Sequence, residues 1–161
     1  MKPPGGIMCA GAPADARHGG NETGMRIVIM DAQGGGVGRA VVEQLKRACP
    51  DKELTAVGTN AAATAAMLKA GADRAATGEN AVRVNAAGAD LIIAPIGMLL
   101  ADGMMGEVTA DMAVAIGRSE AKKILVPSAR CGVSVAGVKT GTVTEYVAQA
   151  VQLALREILP Q

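Results

Sequence analysis

The sequence has almost no aromatic side chains and almost no histidine. Its 161 residues include one tyrosine, Tyr146, and one histidine, His18, but no tryptophan and no phenylalanine. Proteins that bind single-stranded nucleic acids stack the bases on aromatic rings, so this composition argues against that function. Because His18 lies in a segment that looks unstructured, a catalytic imidazole or a histidine metal ligand is not expected either.

An excess of charge of one sign is also missing. The 16 Lys and Arg residues nearly balance the 15 Asp and Glu residues, which leaves a formal net charge of +1. This balance does not favour binding to nucleic-acid backbones or to anionic membranes. No uninterrupted apolar stretch reaches the length of a membrane-spanning helix. Three cysteines without paired spacing, Cys9, Cys49 and Cys131, predict reduced thiols and a cytoplasmic protein.

The first 24 residues differ in composition from the rest of the chain. They are rich in glycine and proline and contain no apolar run of the kind found in signal peptides. We therefore expect a disordered extension at residues 1–24 and one folded domain at residues 25–161. Half of the chain is hydrophobic, which is enough for a globular core.

From Met25 onwards, short β-rich runs alternate with helical patterns. This alternation is typical of βαβ units and predicts an α/β, three-layer Rossmann-like domain with a mostly parallel sheet of five to six strands. Strands are expected at residues 26–31, 53–58, 73–76, 90–95, 122–127 and 133–138. Helices are expected at residues 36–49, 60–70, 79–87, 109–117 and 143–158, with Thr109 capping the fourth. Residues 96–108 are interpreted as a loop or a broken helix.

A glycine-rich loop between the first strand and the first helix is the strongest functional signal. It reads DAQGGGVGR from Asp31 to Arg39. Its glycines allow a sharp turn and a close approach of the backbone to another molecule. The helix that follows presents unpaired N–H groups, which attract anions. The loop predicts binding of a phosphate-bearing ligand, although its glycines are also consistent with tight packing of the helix on the sheet.

Three known phosphate-binding loops are similar to this one, and each differs at a diagnostic position. The dinucleotide fingerprint G-x-G-x-x-G requires glycine where Arg39 stands. The loop of short-chain dehydrogenases belongs with a Tyr-x-x-x-Lys pair, but Ala150 occupies the lysine position after Tyr146. The deviant Walker loop has lysines that are absent here. Neither that reductase chemistry nor ATP hydrolysis is therefore expected.

Polar and glycine-rich tips follow the other predicted strands. Because ligands of doubly wound sheets lie beyond the carboxyl ends of the strands, these tips extend the candidate site. The candidate ligand-binding residues are Gln33, Gly34, Gly35, Gly36, Val37, Gly38, Thr59, Asn60, Thr77, Glu79, Asn80, Pro95, Gly97 and Arg130. Alternatively, Thr59 with Asn60, and Thr77 with Asn80, cap the helices that follow them. The second strand has no acidic residue at its end, so nothing specifies a dinucleotide.

Two further groups of residues leave alternatives open. Asp102, Glu107 and Asp111 match no metal-binding loop, and we expect no metal site. The apolar residues at 98–100, together with Met104 and Met105, are consistent with a lid, a subunit interface or core packing.

With the motifs GGGVG, Gly58-Thr59-Asn60, Pro95-Ile96-Gly97 and Arg130-Cys131 together, the chain resembles a family of short bacterial proteins of unknown function. The resemblance begins near Met25 and runs to the end of the chain. It implies a minimal Rossmann-type domain and implies no activity. Ala32 stands where the resemblance leads us to expect glycine.

These observations favour a small cytoplasmic binding or regulatory module, expected to be a homo-oligomer. Its partner would be a phosphorylated small molecule, a nucleotide or dinucleotide, held at the glycine-rich loop. One alternative is an enzyme with a nucleotide cofactor, an oxidoreductase or a transferase, in which Glu79 carries protons or Cys131 is the nucleophile. The other alternative is a scaffold subunit without a ligand, which acts through its methionine-rich segment.

Overall fold

The computed structural model describes residues 24–128 and 131–159. Two of the sequence-based predictions therefore lie outside the described residues. They are the disordered extension, of which only Gly24 is described, and the ligand contact of Arg130.

Five strands and five α-helices alternate along the described chain. They are β1 (Ile27–Asp31), α1 (Gly36–Ala48), β2 (Leu54–Gly58), α2 (Ala61–Lys69), β3 (Arg74–Thr77), α3 (Glu79–Gly88), β4 (Leu91–Pro95), α4 (Ala110–Arg118), β5 (Lys122–Val126) and α5 (Val143–Ile158). Their ends lie within two residues of the predicted ones. Residues 96–108 begin with a short 3-10 helix at Ile96–Leu99 and continue as turns, as a broken helix was expected to do.

The five strands form one parallel sheet in the order β3-β2-β1-β4-β5. β1 is central, with β2 on one side and β4 on the other. The order of the strands reverses between β1 and β4, so the loops that leave these two strands diverge at the carboxyl edge of the sheet. In doubly wound folds, this switch point is where ligands bind. The predicted α/β three-layer architecture is confirmed.

The alternating side chains of β1 divide the core into two layers. Ile27 and Ile29 pack with residues of α1, α2 and α5 on one face of the sheet, whereas Val28 and Met30 pack with α3 and α4 on the other. All five residues of β1 are buried. A strand that is covered on both faces needs a continuous apolar run, which is why this short run was recognisable in the sequence.

The sixth strand predicted at residues 133–138 is wrong. These residues lie in the irregular connection between β5 and α5 and pair with no strand of the described chain. The amide of Val138 donates to the carbonyl of Val135 at 3.2 Å, and Gly137 has a φ of +85°, so a tight turn interrupts the extended run. Val135 and Val138 remain 42% exposed, and without burial their alternation has nothing to stabilise a strand.

The described residues contain no helix that is both long enough and apolar enough to cross a lipid bilayer.

Candidate functional site

A cleft of about 340 Å³ opens at the switch point of the sheet. One side is the loop between β1 and α1, and the other side is formed by residues that follow β4 and β5. The described residues that line it are Asp31, Ala32, Gln33, Gly34, Gly35, Gly36, Val37, Pro95, Met104, Ser128 and Val143. The cleft thus brings together six of the fourteen predicted ligand-binding residues, namely the consecutive loop residues 33–37 and Pro95.

Two glycines of the loop are required by the fold itself. Gly35 has a φ of +69°, and a Cβ atom there would lie 2.7 Å from the Cα atom of Ala63 in α2. A Cβ atom on Gly38 would lie 2.5 Å from the Sδ atom of Met67 and 2.9 Å from the Cβ atom of Asp31. For Gly35 and Gly38, the packing explanation is sufficient.

The fold does not explain the two other glycines, Gly34 and Gly36. Neither has a positive φ, and no heavy atom outside their immediate neighbourhood lies within 4 Å of a Cβ atom built on either of them. Both residues line the cleft. Glycine at these positions leaves the backbone open to a molecule in the cleft, which a side chain would obstruct.

Most amides of the loop already have acceptors. The amide of Gly35 donates to the carbonyl of Ala32 at 3.0 Å. The amide of Gln33 donates to Oε2 of Glu107 at 2.7 Å. By contrast, no acceptor within the described residues pairs with the amides of Gly34 and Gly36. The free donors are therefore on the same two residues whose glycine identity the fold leaves unexplained.

The carboxylate of Asp31 lies buried beneath the loop, with 2% of the residue exposed. Its Oδ2 accepts from the amide of Gly38 at 2.7 Å and its Oδ1 from the amide of Ala32 at 2.8 Å. Burial raises the pKa of Asp31, the amides of Gly38, Ala32 and Val37 lower it in part, and the nearby charge of Glu107 raises it again. Gly38, one of the predicted ligand-binding residues, therefore faces Asp31 and does not line the cleft.

Glu107 joins the loops that follow β1 and β2. Its Oε2 accepts from the Gln33 amide, from Oγ1 of Thr59 at 2.8 Å and from Nδ2 of Asn60 at 2.8 Å. Burial opposes ionisation of Glu107, but these three hydrogen bonds outweigh it and hold its pKa below the usual range. In the sequence, Glu107 stood out only as one of three acidic residues that match no metal-binding loop. No local pattern could have revealed its partners, which are 47 to 74 residues away.

Asn60 has the capping role that was the alternative to a ligand contact. Its Oδ1 accepts from the amide of Ala63 at 2.9 Å at the start of α2, and its Nδ2 also donates to the carbonyl of Gln33 at 3.0 Å. The polar groups of Thr59 and Asn60 are thus engaged within the protein, and neither residue lines the cleft.

The candidates at the end of β3 lie away from the cleft. Oγ1 of Thr77 is 2.7 Å from Oγ1 of Thr64, and Oε2 of Glu79 accepts from Oγ1 of Thr109 at 2.5 Å. The prediction that Thr77 and Asn80 cap α3 is wrong, because Gly78 occupies the cap position with a φ of +101° and without a side-chain bond. The predicted cap of α4 by Thr109 is confirmed.

Met104, which lines the cleft, packs against a cysteine. The Sγ atom of Cys131 is 4.0 Å from the Sδ atom of Met104, and both sulfurs lie within 3 Å of the position of a Cβ atom on Gly97. Gly97, a predicted ligand-binding residue, is thus needed for this packing. The methionine-rich segment, residues 98–105, differs in exposure at its two ends: Met98 is buried in the core, whereas Met105 is 96% exposed.

Within residues 24–128 and 131–159, no three Asp, Glu, His or Cys side chains are grouped closely enough to hold a metal ion.

Comparison with known proteins places the chain in a family. The profile of a family described as a domain of unknown function, DUF3842, matches residues 26–159. The sequence-based resemblance to a family of unknown function is confirmed. No curated protein matches the chain.

Among solved structures, the dodecameric FMN-dependent Ubix-like decarboxylase from Escherichia coli O157:H7 is similar to this chain. The two share 19% sequence identity over 81% of this chain and 93% of that one, with a TM-score of 0.42. At this level of similarity, the likeness carries no argument about ligand or reaction.

Proposed function

The chain belongs to DUF3842, a family of unknown function, and we propose that it is a binding or regulatory module for a phosphorylated small molecule, a nucleotide. In this proposal, the backbone amides of Gly34 and Gly36 bind the phosphate group. The rest of the ligand lies in the cleft towards Pro95, Ser128 and Val143.

One observation carries the proposal. Gly34 and Gly36 each have an amide without an acceptor among the described residues, and neither packing nor backbone conformation requires glycine at these two positions. Both residues stand at the start of α1, where the helix dipole favours an anion. They also face the cleft at the switch point of the sheet, the usual place for a ligand in this architecture.

A binding role is supported over catalysis by the positions of the acid–base candidates. The carboxylate of Glu79 is hydrogen-bonded to Thr109 between α3 and α4, away from the cleft. The carboxylate of Glu107 accepts three hydrogen bonds that hold the loops together. The thiol of Cys131 packs against Met104, without a general base beside it in the described chain.

We also propose that the protein is a cytoplasmic homo-oligomer. The side chain of Met105 is almost fully exposed, so it is available for a contact with a second copy. The described cysteines, Cys49 and Cys131, are both free thiols, in keeping with a reducing compartment. Light scattering of the wild type and of Met105→Glu tests the oligomer: a lower mass is expected for the variant, and equal masses would count against a contact at Met105.

The phosphate-binding role is tested with Gly36→Ala and, as a control, Gly117→Ala. Gly117 is a helical glycine in α4 that also has open space around its Cβ position. Isothermal titration with nucleoside monophosphates should give binding to the wild type and to Gly117→Ala, and at least about tenfold weaker binding to Gly36→Ala, equivalent to about 1.4 kcal/mol. Equal binding by all three proteins, or binding by none, would contradict the proposal.

A further inference from the structure

We propose that the site takes a single nucleotide with one phosphate group and excludes dinucleotides, because Glu107 closes the β2 side of the loop. This inference rests on the proposed function and names the class of ligand that the same site accepts.

Among the described residues, the cleft extends from the loop towards the ends of β4 and β5. Beyond the loop, its described lining residues are Pro95 at the end of β4, Met104 in the segment that follows, Ser128 after β5 and Val143 at the start of α5. No described lining residue belongs to β2, β3 or the connections that leave them. The part of a ligand that is not phosphate therefore lies over β4 and β5.

A dinucleotide would also need space on the opposite side of the loop, at the end of β2. In doubly wound folds that bind dinucleotides, one nucleotide half lies at the end of the second strand, where a free carboxylate binds the ribose hydroxyls. Here the end of β2 is followed by Thr59 and Asn60, and both donate hydrogen bonds to Glu107. A ribose at this place would have to displace Glu107 and leave its carboxylate without partners, which is unfavourable.

The charges around the loop also limit the ligand to one phosphate group. The carboxylate of Asp31 lies beneath the loop, and that of Glu107 lies on its β2 side. They already accept hydrogen bonds from the amides of Ala32, Gly38 and Gln33. No described lining residue is lysine or arginine. The amides of Gly34 and Gly36 together match the oxygens of one phosphate, and the described lining offers no cation to offset the repulsion that a second phosphate would meet from the two carboxylates.

The volume of the cleft agrees with this limit. Ligand-binding pockets commonly measure about 300–1,000 Å³, and the cleft at about 340 Å³ lies near the lower end of that range. A cleft of this size that holds one nucleotide has little space for a second base and ribose.

The test compares mononucleotides with dinucleotides that contain them. FMN with FAD and nicotinamide mononucleotide with NAD are suitable pairs, because each dinucleotide is the mononucleotide extended by AMP. Isothermal titration of the full chain should show that in the pair that binds, the mononucleotide binds at least about tenfold more tightly. In Glu107→Ala, that ratio should fall towards one, whereas Glu120→Ala, which removes an exposed glutamate elsewhere, should keep it.

Each outcome separates this inference from the proposed function. Equal or tighter binding of the dinucleotide by the wild type would overturn the inference and leave the proposed function standing. Binding of none of the four nucleotides would overturn this inference, whereas the titration with nucleoside monophosphates decides the proposed function. An unchanged ratio in folded Glu107→Ala, or in Glu107→Gln if the alanine variant does not fold, would overturn the role of Glu107.

Discussion

Oδ2 of Asp31 accepts a hydrogen bond from the amide of Gly38 at 2.7 Å, so the last residue of β1 caps the first turn of α1. The start of this helix, which looks from the sequence like an empty anion site, is thus partly occupied by the protein's own carboxylate. Within the part of the chain that the structure describes, the amides of Gly34 and Gly36 have no acceptor and remain for a ligand. This division within one loop is the basis of the predictions that follow.

The first prediction concerns stability at two glycines of the loop. Gly38→Ala should lower the free energy of unfolding by about 1–3 kcal/mol, because the new Cβ atom would overlap Met67 and Asp31 in the core. Gly34→Ala, which has open space, should change it by less than about 0.5 kcal/mol. Urea denaturation followed by circular dichroism measures both. Equal losses in the two variants would show that the packing argument is wrong.

The second prediction concerns Glu107 and the pH dependence of the free energy of unfolding. Glu107→Gln should lower the free energy of unfolding at pH 7 by about 1–2 kcal/mol, because hydrogen bonds to a charged acceptor become hydrogen bonds to a neutral one. The folded pKa of Glu107 lies below its ordinary value of 4.5, so this stabilisation is complete above about pH 4.5 and is lost as the pH falls through the folded pKa. Denaturation at several pH values should therefore show the difference shrinking in acid. A difference that stays constant down to pH 3 would count against these hydrogen bonds.

The third prediction is the opposite pH dependence for Asp31. Its folded pKa is raised above the ordinary value of 3.8, so the folded state holds the proton more tightly than the unfolded state does. As the pH falls through the folded pKa towards 3.8, the wild type should gain stability relative to Asp31→Asn, which cannot take up this proton. The measurement is the slope of the stability difference against pH. A slope of the same sign as that of Glu107→Gln would contradict the burial of Asp31.

Much of the fold could be predicted because its signals are local. The apolar runs at Ile27–Asp31 and Leu91–Pro95 have the length and composition of buried parallel strands. Thr109 precedes a helical pattern as an N-cap residue should, and its Oγ1 accepts from the amide of Met112. The strand predicted at residues 133–138 failed because the apolar side chains of Val135 and Val138 are not buried.

The site was only partly predictable because its decisive contacts are distant in sequence. Four glycines look equivalent in the motif GGGVG, and only the approach of α2 to Gly35 and Gly38 distinguishes these two from Gly34 and Gly36. The partners of Glu107 lie on other loops, so no spacing rule reveals them. Only the folded chain could therefore show which amides remain free.

The most direct test of the central claim is a titration of the ¹⁵N-labelled protein with a nucleoside monophosphate, followed by the amide signals of the loop. We predict that the signals of Gly34 and Gly36 shift along a saturable curve, while that of Gly38, held by Asp31, moves much less. If the Gly34 and Gly36 signals stay in place at saturating ligand, or if the largest shifts occur outside the cleft, the phosphate is not bound by this loop and the account is wrong.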